Sequence, residues 1–464
     1  MTYKHVILTL LSGSVLTGCA SLSEVYSPPS SSVETALRMT DDSVPSKPLY
    51  WDELVTSPEL KALIEMGLDE NRDLKVSAAN VQLARAQLRL SQADRLPTLS
   101  VTGSATEGGR IAGNRTTASA FFSDSTVAQI GASSYELDFF GRLESREESA
   151  FQQYLATEAG ERSVRISVVA AIMDAWMQLG ADQALLNLAQ ETASNQKVSL
   201  ELTQGLLDAG AANELDVRRA SASMQSALAD VAQSQALIMQ DKNTLELLVG
   251  SKIPESIFTA VQLTPYPVKT DIPVELSSSV LLNRPDIIAA EASLKAASAD
   301  IIAARAAYFP TISLTGSVGE ASLGLKNLFD GGGALGWSFG PTLSLPIFDG
   351  GRRDANLEGA KASEALALAQ YEQAIQTAFK EASDALAVAS TIDARLSALD
   401  QFTEDTGVTL YLSRERFKEG LDDYLSVLDA QRQDFTGRQQ HILVQLLKGQ
   451  NTTALYRALG SWSE

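Results

Sequence analysis

The chain has 464 residues, a single cysteine and a formal net charge of −20, with 57 Asp and Glu against 37 Lys and Arg. One cysteine excludes an internal disulfide, and so acidic a chain, with no Lys/Arg cluster for phosphates, repels nucleic acid. His5 and His441 are its only histidines, and it lacks a Gly-rich phosphate loop, zinc-type Cys/His spacing and a Gly-x-Ser-x-Gly elbow, so it reads as a non-enzyme without metal or cofactor.

Residues 1–18 read as a cleaved signal. Lys4 supplies positive charge, an apolar run extends from Val6 to Leu16, and Leu16-Thr17-Gly18 precede Cys19. That layout is secretory, and the run falls short of the roughly twenty apolar residues that a membrane helix needs. Leu-Thr-Gly-Cys resembles the bacterial lipobox, which predicts that Cys19 is acylated and becomes the new N-terminus. Ala20, where an aspartate would resemble an inner-membrane retention signal, favours the outer membrane.

Proline punctuates the rest. All fourteen prolines fall before Pro58, at Pro58 or Pro97, between Pro254 and Pro310, or at Pro341 and Pro346. The Pro-free tracts 98–253 and 347–464 become rich in Ala, Leu, Gln and Glu, the composition of long helices. The chain also repeats itself. Leu96-Pro-Thr-Leu-Ser-Val-Thr-Gly-Ser104 recurs as Phe309-Pro-Thr-Ile-Ser-Leu-Thr-Gly-Ser317, and Asn71-Arg72 as Asn283-Arg284. Phe140-Gly141-Arg142 parallels Phe348 to Arg352. The spacing of Gly210, Leu215, Val217 and Ala220 returns 210 residues later as Gly420, Leu425, Val427 and Ala430. This gives an N-terminal segment 19–57, a first repeat 58–250, a Pro-rich linker 251–285, a second repeat 286–455 and a tail 456–464.

Each repeat predicts helix, strand, loop, strand, long helix, turn and long helix. Strands are expected near 96–107, 127–140, 309–319 and 335–348. Thr98, Ser100, Thr102 and Ser104 alternate with Leu99, Val101 and Gly103, and Thr311, Ser313 and Thr315 alternate with Ile312 and Leu314. Trp337, Phe339 and Leu343 oppose Ser338, Gly340 and Thr342. An apolar face backed by a polar one suits a membrane β-barrel with a wet lumen, with a soluble sandwich of one solvated face as the lesser alternative; the aromatics favour the membrane further. Four strands do not close a barrel, and an open edge cannot face lipid, so membrane strands force oligomerisation. Two chains would give eight strands and a filled interior, and three would give twelve and a pore.

Helices from Leu143 to Gln204 and from about Arg353 to Lys418 would be roughly 90 Å long at ~1.5 Å per residue. Each is followed by a glycine turn and a returning helix. Periodicity alone leaves an ordinary antiparallel coiled coil open; the interrupting strands disfavour it.

The whole pattern resembles the outer-membrane efflux protein family, the TolC-like channels, and within it the lipoprotein branch of OprM and NodT type. Leu-Thr-Gly-Cys19, Trp51-Asp52-x-Leu54, Leu96-Pro97-Thr98 with Phe309-Pro310-Thr311, Tyr135 to Arg142, Asn283-Arg284-Pro285-Asp286 and Tyr424 to Arg432 carry the resemblance. It implies a mainly α fold with a membrane β-barrel part: a homotrimer with a twelve-stranded barrel and a twelve-helix periplasmic α-barrel. Segment 19–57, linker 251–285 and the tail would lie at an equatorial level. It further implies a passive export duct for small toxic molecules, working with a periplasmic adaptor and an inner-membrane pump. A protein-secretion duct of the same fold and a structural coiled-coil lipoprotein are the alternatives.

The candidate site residues cluster around the two glycine turns. Asp422, Asp423 and Asp429 follow Gly420, and Glu214 and Asp216 follow Gly210. The resemblance places Asp429 at a periplasmic constriction, while Ser426 stands where some relatives carry a second aspartate. Threefold rings of carboxylates attract cations and crowding raises their pKa values. Asp422 and Asp423 equally suit the N-cap and first turn of a helix. Arg414 and Arg416 are candidate latches that would pair with these acids. Loop 107–127, with Phe121-Phe122, reads either as a narrowing of the outer mouth or as an ordinary surface loop.

Overall fold

A computed structural model describes residues 50–107, 125–270 and 281–459, apart from Lys326, Asn327 and Phe329. The elements in chain order are α1 (Trp51–Leu54), α2 (Pro58–Glu70), α3 (Arg72–Ala93), β1 (Leu99–Thr106) and β2 (Ser125–Leu137). There follow α4 (Arg142–Asp208), α5 (Glu214–Val249), α6 (Glu255–Thr259) and α7 (Pro285–Ala306). The chain continues with β3 (Thr311–Ser322), β4 (Ala334–Ser344), α8 (Arg352–Lys418) and α9 (Tyr424–Leu459).

The duplication is visible element by element. Helices α3 and α7 both have 22 residues, α4 and α8 both 67, and α5 and α9 both 36. The strands are antiparallel and form one sheet in the order β1-β2-β3-β4. Five of their eight ends fall inside the sequence-based bounds, at Leu99, Thr106, Leu137, Thr311 and Ser344, and three fall outside. Pro97 and Pro346 have no amide hydrogen for a ladder, so β1 starts at Leu99 and β4 stops at Ser344; Gly141, at φ 71°, turns the chain from β2 into α4. The register of β2 slips between Ala132 and Tyr135 at a bulge whose Ser134 has φ 55°.

The described residues fall into two compact units. One comprises those of Gln82–Thr157 and Ala290–Tyr371 and contains the sheet; the other comprises those of Ser31–Val81, Glu158–Ala289 and Glu372–Glu464. Helices α4 and α8 contribute residues to both.

The second unit owns the main apolar core. Helix α4 presents Ile166, Val169, Ile172, Met173, Trp176 and Met177, three and four residues apart and so on one face. They pack with Leu60, Leu63 and Ile64 of α2, Leu245 and Val249 of α5, and Tyr456 of α9. Among the described residues only α4 is long and apolar enough to cross a membrane, and 61% of its most apolar window is buried within the protein, which marks a core helix. The Pro-rich linker is drawn into the same core by Ile253, Phe258, Val261, Leu263 and Val268. Val268 pairs with Val55 as a β-bridge, and Lys269 N–H donates to the Leu54 carbonyl at 2.9 Å.

Candidate functional site

Two helical turns and one sheet carry the candidate residues. The turns are duplicates in atomic detail. After α4, Ala211 N–H donates to the Leu206 carbonyl (2.8 Å) and Gly210 N–H to that of Leu207 (2.9 Å). After α8, Leu421 N–H donates to Arg416 (2.9 Å) and Gly420 N–H to Phe417 (3.0 Å). Both are Schellman ends, and Gly210 (φ 72°) and Gly420 (φ 70°) supply the left-handed residue that the motif needs. The next helix is capped in each repeat by the residue three beyond the glycine. Asn213 Oδ1 accepts from Asp216 N–H at 3.0 Å, and Asp423 Oδ1 from Ser426 N–H at 3.1 Å and from the Ser426 hydroxyl at 2.9 Å.

The five candidate acids do not converge within one chain; each has a local partner. Asp423 is the cap of α9. Asp422 takes both Nε and Nη2 of Arg416, at 2.6 and 2.9 Å, and this hydrogen bond holds its carboxyl below the usual carboxylate range. The rise expected from crowding belongs to threefold rings; within the single chain the hydrogen-bonding partner of this carboxyl is a cation. Glu214 accepts from Arg218 (2.8 Å), Asp216 lies 3.7 Å from Arg219, and Asp429 accepts from the Gln433 amide at 2.8 Å. Of the two candidate latch arginines, Arg416 closes its own turn; the charge of Arg414 acts on Glu191 and Asp434. Cys19 and residues 108–124, with Phe121-Phe122, lie outside the described residues.

Three residues matter at this tip that spacing did not single out. The Tyr424 ring is 2% exposed, meets Phe417 edge-on at 5.6 Å between centroids, and packs with Ala220 and Val427. Its hydroxyl is buried without a hydrogen bond, and burial pushes its pKa up to about 12. Higher on the same helix, Arg438 grips both carboxylate oxygens of Glu191 on α4 at 3.0 and 2.8 Å, and Gln431 donates to Ser199 at 3.1 Å. Tyr424 and Gln431 lie in the quoted family motif; nothing local marks Arg438. Among the described residues no three His, Cys, Asp or Glu side chains gather as metal ligands.

The sheet divides by chemistry into two faces. Val101 is opposite Ile130, Ile130 opposite Val318, and Val318 opposite Trp337, so one apolar row crosses all four strands. These four side chains are 47–78% exposed. The adjacent row, pointing the other way, is Ser100, Gly131, Ser317 and Ser338, with a 2.8 Å contact between the last two hydroxyls. Among the described residues the outer edges of β1 and β4 are unpaired. Pro341 sits on β4, a place that an edge strand tolerates.

A family model described as outer membrane efflux protein matches residues 63–251 and 276–461, one match per repeat. The chain belongs to this family. It is 40% identical over 419 residues to the solvent efflux pump outer membrane protein SrpC of Pseudomonas putida, covering 89% of this chain and 87% of that protein. A crystal structure of a membrane protein from Pseudomonas aeruginosa superposes with a TM-score of 0.86 at 36% identity, covering 95% of this chain and 97% of the other. The open state of the Neisseria gonorrhoeae MtrE outer membrane channel gives a TM-score of 0.82 at 34% identity, with 94% and 97% covered. The chain is therefore an outer-membrane efflux protein, a transport component of a family of channels, not of enzymes.

Proposed function

We propose that three copies of the chain form a passive export duct, with twelve strands closed into a barrel in the outer membrane and twelve long helices, α4, α5, α8 and α9 of each copy, continuing through the periplasm. One observation supports this reading: a four-stranded sheet with an exposed apolar face and two edges unpaired among the described residues. Water disfavours that face, and lipid forbids those edges, because unpaired backbone groups in hydrocarbon cost several kcal/mol each, on the order of a lost hydrogen bond or more. Neighbouring copies supply the missing strands.

Cys19 carries the lipid anchor in this reading. Asp429 lines the periplasmic constriction, with Asp422, Asp423, Asp216 and Glu214 around it, so that threefold repetition makes rings of three carboxylates. Arg416 restrains the turn that presents them. A periplasmic adaptor docks the duct onto an inner-membrane pump, which supplies the energy. The cargo is of the small-molecule kind, in keeping with the solvent named for the Pseudomonas putida relative. Planar-bilayer conductance, with oligomeric mass measured on the same detergent-purified sample, tests the proposal. A trimer with discrete, cation-preferring openings is expected; a monomer would overturn it and return the chain to a structural lipoprotein.

A further inference from the structure

We propose that Asp182 of α4 and Asp241 of α5 share one proton, forming a pH-sensitive clamp between these two helices. Asp182 is 4% exposed, and its Oδ2 accepts from the Gln178 amide at 3.0 Å. Asp182 stands 26 residues before the end of α4 at Asp208 and Asp241 27 residues after the start of α5 at Glu214, which sets the two at one level of the helical hairpin, and Asp241 Oδ2 is buried with no hydrogen-bond donor among the described residues. Two carboxylates have only acceptor atoms to offer each other, so the contact becomes a hydrogen bond only when one of them carries a proton. Without that proton, two like charges face each other with Asp182 buried and Asp241 partly so.

Among the described residues the surroundings offer no substitute cation. On α5 the neighbouring Lys242 turns away, donating to Glu255 of α6 at 2.6 Å with its ammonium 4.8 Å from the Phe258 ring centre. Helix α2 meets α5 two turns further on, where Asn71 donates to the Leu248 carbonyl, and its last charge, Glu70, is taken by Lys75. From α9, Ile442 packs on the same apolar cluster as Ile238 of α5, while His441 is bound to Asp400 of α8 at 2.7 Å. The charge acting on Asp241 is that of Asp182. Burial first, then the contact with Asp182, pushes the Asp241 carboxyl up to about 7.

The direction follows from linkage. The folded pair holds a proton that the unfolded carboxyls release near their ordinary pKa of about 3.9. The clamp is therefore fully closed in acid, weakens as pH rises, and is lost above neutrality. The inference concerns the α4–α5 hairpin of a single chain and stands whether or not the duct conducts.

The test is thermal unfolding of the full-length protein in detergent from pH 4 to pH 8.5, for the native chain, Asp241→Asn and Asp182→Asn. Asparagine keeps the volume and donates the missing hydrogen bond without needing a proton. The native melting temperature should fall across neutrality more than that of either variant, and Asp241→Asn should melt higher than the native chain at pH 8.5. The native-minus-variant difference removes the general effect of an acidic chain gaining charge. Equal slopes in all three proteins, or an Asp241→Asn variant that melts lower at pH 8.5, would overturn the clamp.

Discussion

Arg416 and Asp422, six residues apart, close the second glycine turn on itself through a two-pronged pair at 2.6 and 2.9 Å. A latch acting across a pore would need a partner on another hairpin; this arginine is already occupied by its own. It fixes the turn from which Asp423 caps α9. Replacing either member should therefore have one and the same effect. Arg416→Ser and Asp422→Asn should raise the closed-channel leak in bilayer recordings equally, and the double variant should add nothing, the signature of a shared interaction. A leak from Arg416→Ser alone would mean that the arginine serves another acid.

Arg284 should be the most expensive single charge to remove from the second unit. It is 5% exposed, yet it holds both oxygens of Asp286 (3.0 and 2.7 Å), Glu381 on α8 (2.9 Å) and the carbonyl of Ala458 near the end of α9 (3.0 Å). It ties the start of α7 to two other helices. Arg284→Met leaves two carboxylates without their cation and should cost about 3 kcal/mol, the low end for a broken buried pair. The low end applies because both carboxylates stay roughly a third exposed, at 37% and 36%. Unfolding of the native and variant proteins side by side in detergent measures it, and a loss near zero would show that water replaces the arginine.

The contrast between Arg284 and its counterpart shows what could be read from the chain. Asn71-Arg72 and Asn283-Arg284 look equivalent in sequence. In the first repeat, however, Asn71 does the tying, accepting from Leu74 N–H at 2.9 Å and donating to the Leu248 carbonyl at 2.6 Å. Local rules reach the glycine turns, the strand alternation and the equal helices, because each depends on residues a few positions apart. They do not reach Arg438 on Glu191, 247 residues away, or Asp182 beside Asp241. Which side chains meet there depends on the rotation of a 67-residue helix, and small departures from 3.6 residues per turn accumulate along it. Spacing likewise could not separate Asp422 from Asp423, which are adjacent in sequence but serve as ion-pair partner and helix cap.

The two faces of the sheet should respond oppositely to charge. Val318 stands mid-row on the apolar face and Ser317, its neighbour, on the polar face. If the apolar face meets lipid, Val318→Arg should cost about 2–4 kcal/mol near the bilayer midplane. Assembled trimer should drop sharply on native gels of membrane extracts. Ser317→Lys should assemble normally and shift the ion preference away from cations. Equal tolerance at both positions would argue for a sheet in water.

Asp174 should make the main core pH-dependent in a lower window than the Asp182–Asp241 pair. It lies on the core helix α4 with its Oδ1 buried and unbonded, and burial outweighs the nearby Thr453 hydroxyl and Arg457 guanidinium, pushing its carboxyl up to about 6. A folded pKa above the unfolded one means that the folded chain binds the proton more tightly. Its stabilising contribution is therefore complete below about pH 4, declines as pH rises, and is gone above about pH 6. At ~1.4 kcal/mol per pKa unit the full swing is about 3 kcal/mol at most. Asp174→Asn, uncharged at every pH, should remove that slope and make the protein more stable than the native chain at pH 7.5, while at pH 4 the two should melt together. Because the native slope should end near pH 6 here and near pH 7 for the pair, melting curves taken at half-unit steps separate the two sites. A native slope that survives in Asp174→Asn between pH 4 and 6 would place the responsible proton elsewhere.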